Sequence, residues 1–179
     1  MSTAEEHQRE LRVVRGVWTE SEAEALLREA GPDGGPVSPS GRALLQRLGT
    51  EADLLDLDDA PVGSAWLSRS GSLSASFLIH VVIQGRDEPV TETSVRTALR
   101  NGLRRAAEFG IESVALPPLG VGAGKLDHER SAVLVVETLA EHLEQGGAPT
   151  VFEIVVASDY EEEVFGRAAA AFERPDVRA

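Results

Sequence analysis

The sequence predicts an α/β fold, a largely parallel sheet with helices on both faces, and three observations carry that prediction. From residue 77 onward the chain alternates strand, helix, strand, helix, strand, helix, an order that calls for right-handed crossovers between parallel strands. The first of those strands, 77–84, is an almost continuous apolar run (Phe77, Leu78, Ile79, Val81, Val82, Ile83), as expected of a central strand buried on both faces. The chain has 179 residues, 42% of them hydrophobic, which suits one core able to bury roughly two-thirds of its surface. One domain is expected over 11–172, with loose polar ends at 1–10 and 173–179.

Taken in order, 11–14 reads as a strand, and Thr19 or Ser21 can cap a helix to about Glu29 with Ala25 and Leu26 inward. Residues 31–41 form a loop rich in glycine and proline. Leu44, Leu45 and Leu48 recur at helical spacing, so 40–48 predicts a second helix, and the acidic stretch 51–59 follows. Strands are expected at 63–67 and 77–84. Thr91 can cap a helix to Phe109 whose inner face is Val95, Ala98, Leu99, Gly102, Ala106 and Phe109, and Gly110 supplies a left-handed stop. A strand at 111–116 runs into the loop 117–126. Asp127 then caps a helix to about Glu144 with Ala132, Val136, Leu139 and Leu143 inward, ended by Gly146 and Gly147. A strand at 151–157 and a helix at 161–172 close the chain.

Charge and composition exclude several functions. A net charge of −13 repels phosphate polymers and anionic lipid, and no run of Lys or Arg offsets it, so neither nucleic-acid nor membrane binding is expected. There is no cysteine, hence no disulfide, thiolate metal site or Cys nucleophile, in keeping with a reducing cytoplasm. The polar, acidic start lacks the basic and apolar regions of a signal peptide. His7, His128 and His142 have no metal-ligand spacing, and Asp53, Asp56, Asp58 and Asp59 read as solvated surface, so no metal is expected. His80, in an apolar strand, reads as a hydrogen-bonded core residue. Trp18 and Trp66 read as core packing. No G-x-S-x-G elbow supports a serine hydrolase.

The most informative segment is the loop Leu116-Pro117-Pro118-Leu119-Gly120-Val121-Gly122-Ala123-Gly124-Lys125-Leu126-Asp127. Three alternate glycines between a buried strand and a helix let the backbone turn sharply and present bare N–H groups, which suits a phosphate. It is not a P-loop, because Leu126 follows Lys125 and the glycine spacing differs. Nor is it a dinucleotide fingerprint, since Gly120, Gly122 and Gly124 give G-x-G-x-G after a late strand. A tight strand-to-helix turn that binds nothing is the alternative. Lys125 would either screen a bound diphosphate or be a helix-start side chain in water. Asp159 lies at the same sheet edge as the loop, with an N-cap as its alternative role.

The order of elements together with this loop resembles the macro domain, a family whose best-known members bind ADP-ribose. The resemblance rests on Phe77-Leu78-Ile79-His80-Val81-Val82, similar to the family's "viHav" strand, on the long helix ending at Gly110, and on Ser113-Val114-Ala115-Leu116-Pro117 running into the glycine loop. It covers residues 63–172, and the N-terminal part in outline. It implies a three-layer α/β/α fold around a mixed, largely parallel sheet. It also implies that Gly120, Val121, Gly122, Ala123, Gly124 and Lys125 cradle a diphosphate, with Gly34, Gly35, Pro36 and Val37 approaching from the other side and Asp159 and Tyr160 near the base.

Departures from the family pattern concern the nucleoside. Gly16 is followed by Val17-Trp18 where the family has Gly-Asp-Ile, whose carboxylate reads the adenine amine, and Arg28-Glu29-Ala30-Gly31 stands where the family has Asn-Ala-Ala-Asn. The distal-ribose aromatic falls at Gly124, and the aromatic under adenine near Ser158, with Tyr160 as a substitute. The resemblance therefore implies a non-catalytic binding module for ADP-ribose or a related phosphorylated nucleotide, needing no cofactor. An ADP-ribosyl hydrolase and a scaffold with a vestigial pocket are the two alternatives.

Overall fold

The computed structural model describes residues 9–49, 57–122 and 125–172. Six strands, β1 (Glu10–Arg15), β2 (Ala25–Ala30), β3 (Ala65–Arg69), β4 (Phe77–Val82), β5 (Ser113–Leu116) and β6 (Val151–Val156), form one sheet in the order β1-β6-β5-β2-β4-β3. Only β3 runs antiparallel, beside β4. Four helices, α1 (Pro39–Leu48), α2 (Glu92–Glu108), α3 (His128–Gln145) and α4 (Asp159–Phe172), complete the α/β/α fold.

The segment 25–30 departs most from expectation: it is a strand, and among the described residues the only helical turn before it is the short 3-10 turn Trp18–Glu20. Ala-Leu-Leu-Arg-Glu-Ala has high helix propensity, but all six residues are buried, and a surface helix would leave its polar face in water. Here β2 pairs with β4 along its whole length, Ala25↔Phe77 to Ala30↔Val82, and with β5 on its other side. Two flanking strands override the local preference. β4 in turn is second from the sheet edge, because β3 covers it, and β5 and β2 hold the centre.

Helix ends follow their capping chemistry. Thr91 and Ser94 form a reciprocal capping box at α2, and Asp127 accepts the Arg130 N–H at 2.8 Å to start α3. Gly110, at φ +66°, stops α2. Phe109 does not face the core as expected; as the C-cap of α2 it is 61% exposed. α4 starts at Asp159, two residues early, and the Ser158 hydroxyl accepts the Glu161 N–H at 3.2 Å, so Ser158 and not Asp159 supplies the capping side chain.

Strand alternation divides the core. Leu27, Ile79 and Val81 face α2, α3 and α4 and pack with Val95, Leu99, Leu139 and Phe165. Leu26, Leu78, Ala115 and Val155 face the other way, toward Trp18 of the 3-10 turn and Leu44 and Leu48 of α1. Burial of each of the leucine, isoleucine, valine and phenylalanine side chains among them contributes about 1.5–3 kcal/mol. The half-exposed ion pairs joining α2 to α3, such as Arg100 to Glu141 at 2.5 Å, add at most about 1 kcal/mol each. Among the described residues no helix is long and apolar enough to cross a membrane.

Five of the six strands point the same way, so the exits of β1, β2, β5 and β6 meet along one edge. Ligands of open α/β sheets sit at such an edge.

Candidate functional site

A cleft of about 410 Å³ opens at that edge. Gly16, Val17 and Trp18 at the exit of β1 form one wall, and Ser38, Pro39 and Ser40 at the first turn of α1 form another. Pro117, Pro118 and Val121 of the loop after β5 face them, and Val155, Ala157 and Glu161 close the end. The Trp18 indole N–H donates to the Ala115 carbonyl at 3.3 Å, fixing the ring on the sheet, while Val17 is 58% exposed and apolar. The start of α1 brings a helix dipole to the cleft, although Ser38 already caps the Gly41 N–H at 3.2 Å. A larger depression of about 690 Å³ lies between α2 and α3, lined by Arg100 and Glu141 among others, two side chains that are ion-paired with each other.

Two charged neighbours in β2 hold the two glycine loops. Arg28 is fully buried on the α1 face, where its guanidinium donates to the Gly34 carbonyl at 2.6 Å, the Glu29 carbonyl at 3.1 Å and His80 Nδ1 at 2.6 Å. Burial pushes Arg28 down to about 10, partly offset by the charge of Asp33. His80 is pushed down to about 3 by burial and then by Arg28, so the imidazole is neutral. Since Nδ1 accepts, Nε2–H donates to the Ser68 hydroxyl at 2.7 Å, and the ring stacks on Trp66 at 5.0 Å. His80 is thus a satisfied core residue.

Glu29 points to the opposite face and is 1% exposed. One carboxylate oxygen accepts the Gly120 N–H, and the other has no hydrogen-bond partner among the described residues. Burial pushes its pKa up, opposed by the Gly120 N–H, the Lys125 charge and Ser38. Lys125 is partly buried and its ammonium donates to the Val37 carbonyl at 2.6 Å, joining the loop after β5 to the loop after β2.

The expected site residues are brought together only in part. Val121 lines the cleft. Gly34 and Gly35 lie in a tight turn whose amides are already engaged, Gly34 N–H with the Gly31 carbonyl at 3.0 Å and Gly35 N–H with Asp33 Oδ1 at 2.9 Å. They are therefore not bare donors. Pro36 pairs with Ala30 in an isolated bridge, and Val37 accepts from Lys125. Gly120 (φ +71°) and Gly122 (φ +136°) turn the second loop, which closes on itself through Leu126 N–H to the Gly120 carbonyl at 2.9 Å. Ala123 and Gly124 lie outside the described residues, as do Asp53 and Asp56 of the acidic stretch. Asp159 is ion-paired with Arg15, and Tyr160 stands edge-on to His128 at 5.5 Å; neither lines the cleft.

Sequence reasoning missed Arg28 and Glu29 as the residues that frame the loops. The signal was an Arg-Glu pair inside an apolar run, which a helix would have put on its solvent side. It also missed Ser38, Pro39, the Pro117-Pro118 pair and Glu161, whose carboxylate accepts the Ala157 N–H at 2.8 Å and faces His128 at 3.3 Å. Among the described residues no group of three His, Asp or Glu is placed to hold a metal.

Comparison with known proteins places this geometry. A family model described as "Macro domain" matches residues 42–135. An uncharacterized protein of Aquifex aeolicus is 30% identical over 162 residues, 87% of this chain and 93% of its own. A macro domain-containing protein of Caldanaerobacter subterraneus is 24% identical, with 88% and 94% covered. Of solved structures, a macrodomain mutant of Oceanobacillus iheyensis superposes with a TM-score of 0.74 at 16% identity, covering 89% of this chain and 90% of its own. The Trypanosoma brucei macrodomain in complex with ADP-ribose superposes with a TM-score of 0.75 at 16% identity, covering 87% and 67%.

Proposed function

The chain belongs to the macro domain family, and from that premise we propose that its cleft binds ADP-ribose or a related phosphorylated nucleotide and releases it unchanged. The observation that carries this reading is the cleft between the first turn of α1 and the loop after β5. A helix N-terminus favours phosphate, and Trp18, Val17, Pro117 and Pro118 offer apolar surface to a nucleoside. The related Trypanosoma brucei macrodomain, solved with ADP-ribose, supports the ligand class. Binding without turnover is supported by the side chains present. No asparagine stands in 28–31, Glu29 is sealed below the loops, and Asp159 is tied to Arg15.

The test is a titration with ADP-ribose, ADP and inorganic diphosphate, followed by calorimetry and thermal melting, with release of ADP-ribose from modified protein as a second readout. A ligand at a hundred times its Kd stabilises by about 2.7 kcal/mol, and for a chain of this size each kcal/mol raises Tm by about 2–4 °C. At least one phosphate compound is expected to bind, with Gly122→Glu abolishing it while the far-UV spectrum is unchanged. Absence of heat and shift at millimolar ligand refutes binding, and turnover above a buffer control refutes release unchanged.

A further inference from the structure

Lys125 is the only lysine among 179 residues; every other basic side chain that is charged at neutral pH is arginine. Its ammonium does not reach into water freely but crosses from the loop after β5 to the Val37 carbonyl, a neutral acceptor, at 2.6 Å. Beneath the crossing lies Glu29, with one oxygen on the Gly120 N–H and one without a partner among the described residues. Burial pushes the pKa of that carboxyl up, and the Gly120 N–H, the charge of Lys125 and the hydroxyl of Ser38 oppose the rise. The seam between the loops is thus crossed by an ammonium that, among the described residues, is hydrogen-bonded to a neutral carbonyl, and beside it lies a buried carboxyl group with one oxygen unpartnered among those residues.

We propose that Lys125 is an exchangeable strap that closes this seam in the free protein and passes its ammonium from Val37 to an anionic group of the arriving ligand. This rests on the reading that the cleft takes a phosphorylated ligand, and it adds a requirement of charge: the ligand carries a diphosphate or terminal phosphate at the end nearest the seam. The exchange is favourable only toward an anion. An ammonium hydrogen bond to phosphate is roughly twice as strong as a bond between neutral groups and gains charge attraction over the carbonyl it leaves. Val37, only partly buried, can take water in return. A neutral nucleoside offers no such gain, so it leaves the strap closed. The exchange needs a swing of one side chain rather than a movement of either loop.

The experiment compares the full chain with Lys125→Met and Lys125→Arg, titrated with inorganic diphosphate, ADP and adenosine. Reductive methylation with ¹³C-formaldehyde gives one lysine resonance, set apart from the α-amino signal by its absence in Lys125→Arg. Expected are a tenfold or greater loss of affinity for diphosphate and ADP in Lys125→Met, with partial recovery in Lys125→Arg. Adenosine binding should be unchanged in both variants. The salt dependence of ADP binding should be shallower in Lys125→Met, and the methylated lysine of the parent chain should shift with diphosphate and ADP but not with adenosine. A merely structural lysine would weaken all three probes alike. Equal affinity of Lys125→Met and the parent chain for ADP, or a lysine signal that stays fixed while ADP binds, overturns the strap and leaves the binding reading standing. Failure of the parent chain to bind either phosphate compound overturns both.

Discussion

Replacing Gly120 by alanine probes the frame of the second glycine loop. Gly120 sits at φ +71°, in the left-handed region where an L side chain costs about 1–2 kcal/mol. A Cβ there would lie 2.7 Å from Val95 Cγ2 and 3.3 Å from Leu126 Cδ1. Val95 is fully buried on α2 and enclosed by the core, so it cannot swing aside. Overpacking of this kind costs about 1–3 kcal/mol, and alanine recovers about 0.4–1 kcal/mol by restricting the unfolded chain. The balance is a loss of roughly 2–3 kcal/mol, near the middle of the range these opposing terms allow. For a chain of this length that lowers Tm by about 5–10 °C. Gly166→Ala is the internal reference: it lies in α4 with nothing within 4 Å of an added Cβ, so helix propensity alone acts and the protein gains about 1 kcal/mol. Urea unfolding of both variants, read as midpoints at equal m, decides the matter. A Gly120→Ala midpoint within about 0.5 kcal/mol of the parent, or shifted in the same direction as Gly166→Ala, would show that the loop does not press on Val95.

Two further outcomes follow from the buried polar row on the α1 face. Arg28→Met leaves the Gly34 carbonyl and His80 Nδ1 as buried acceptors without their donor; at about 1–3 kcal/mol each the loss should reach about 2–6 kcal/mol in urea unfolding, and a loss below about 1 kcal/mol contradicts the grip on Gly34. His80 titrates near 3 in the folded chain against 6.5 unfolded. Between those values the unfolded state binds the extra proton, so this residue's contribution to stability is full above about pH 6.5 and is lost as pH falls toward 3. His80→Gln should flatten that part of the stability profile, and an imidazole seen by NMR to protonate above pH 5 would refute the reasoning.

The helices with strong local signals were legible from the chain alone. Thr91, Asp127 and Gly110 mark their ends by chemistry that acts within one turn, and the periodic Val95, Ala98, Leu99 and Gly102 face the sheet as their spacing requires. β2 was not legible, because what makes Ala25–Ala30 a strand is pairing with β4 and β5, which are far away in sequence. The same holds for the site. The turn at Gly120 could be read from its glycines, and the occupation of the first loop's amides by Asp33 and Gly31 is local turn chemistry, but that the Gly120 N–H is engaged by Glu29, 91 residues away, depends on a contact no local pattern encodes.

Because Arg28 and Glu29 are consecutive, they also act as a key for sheet alignment. A slip of β2 by one residue against β4 would turn every side chain to the other face. The guanidinium would then enter the apolar layer of Val81 and α2, and the carboxylate would press against Leu78 and α1. The guanidinium would lose its partners at Gly34 and His80 and the carboxyl would lose the Gly120 N–H, and leaving such buried groups uncompensated costs several kcal/mol. An all-apolar Ala-Leu-Leu segment tolerates misalignment far better. Opposite charges on opposite faces therefore make the misregistered sheet unstable while the chain is still assembling, and a neutral replacement at either position should yield more aggregation on refolding than its loss of stability alone accounts for.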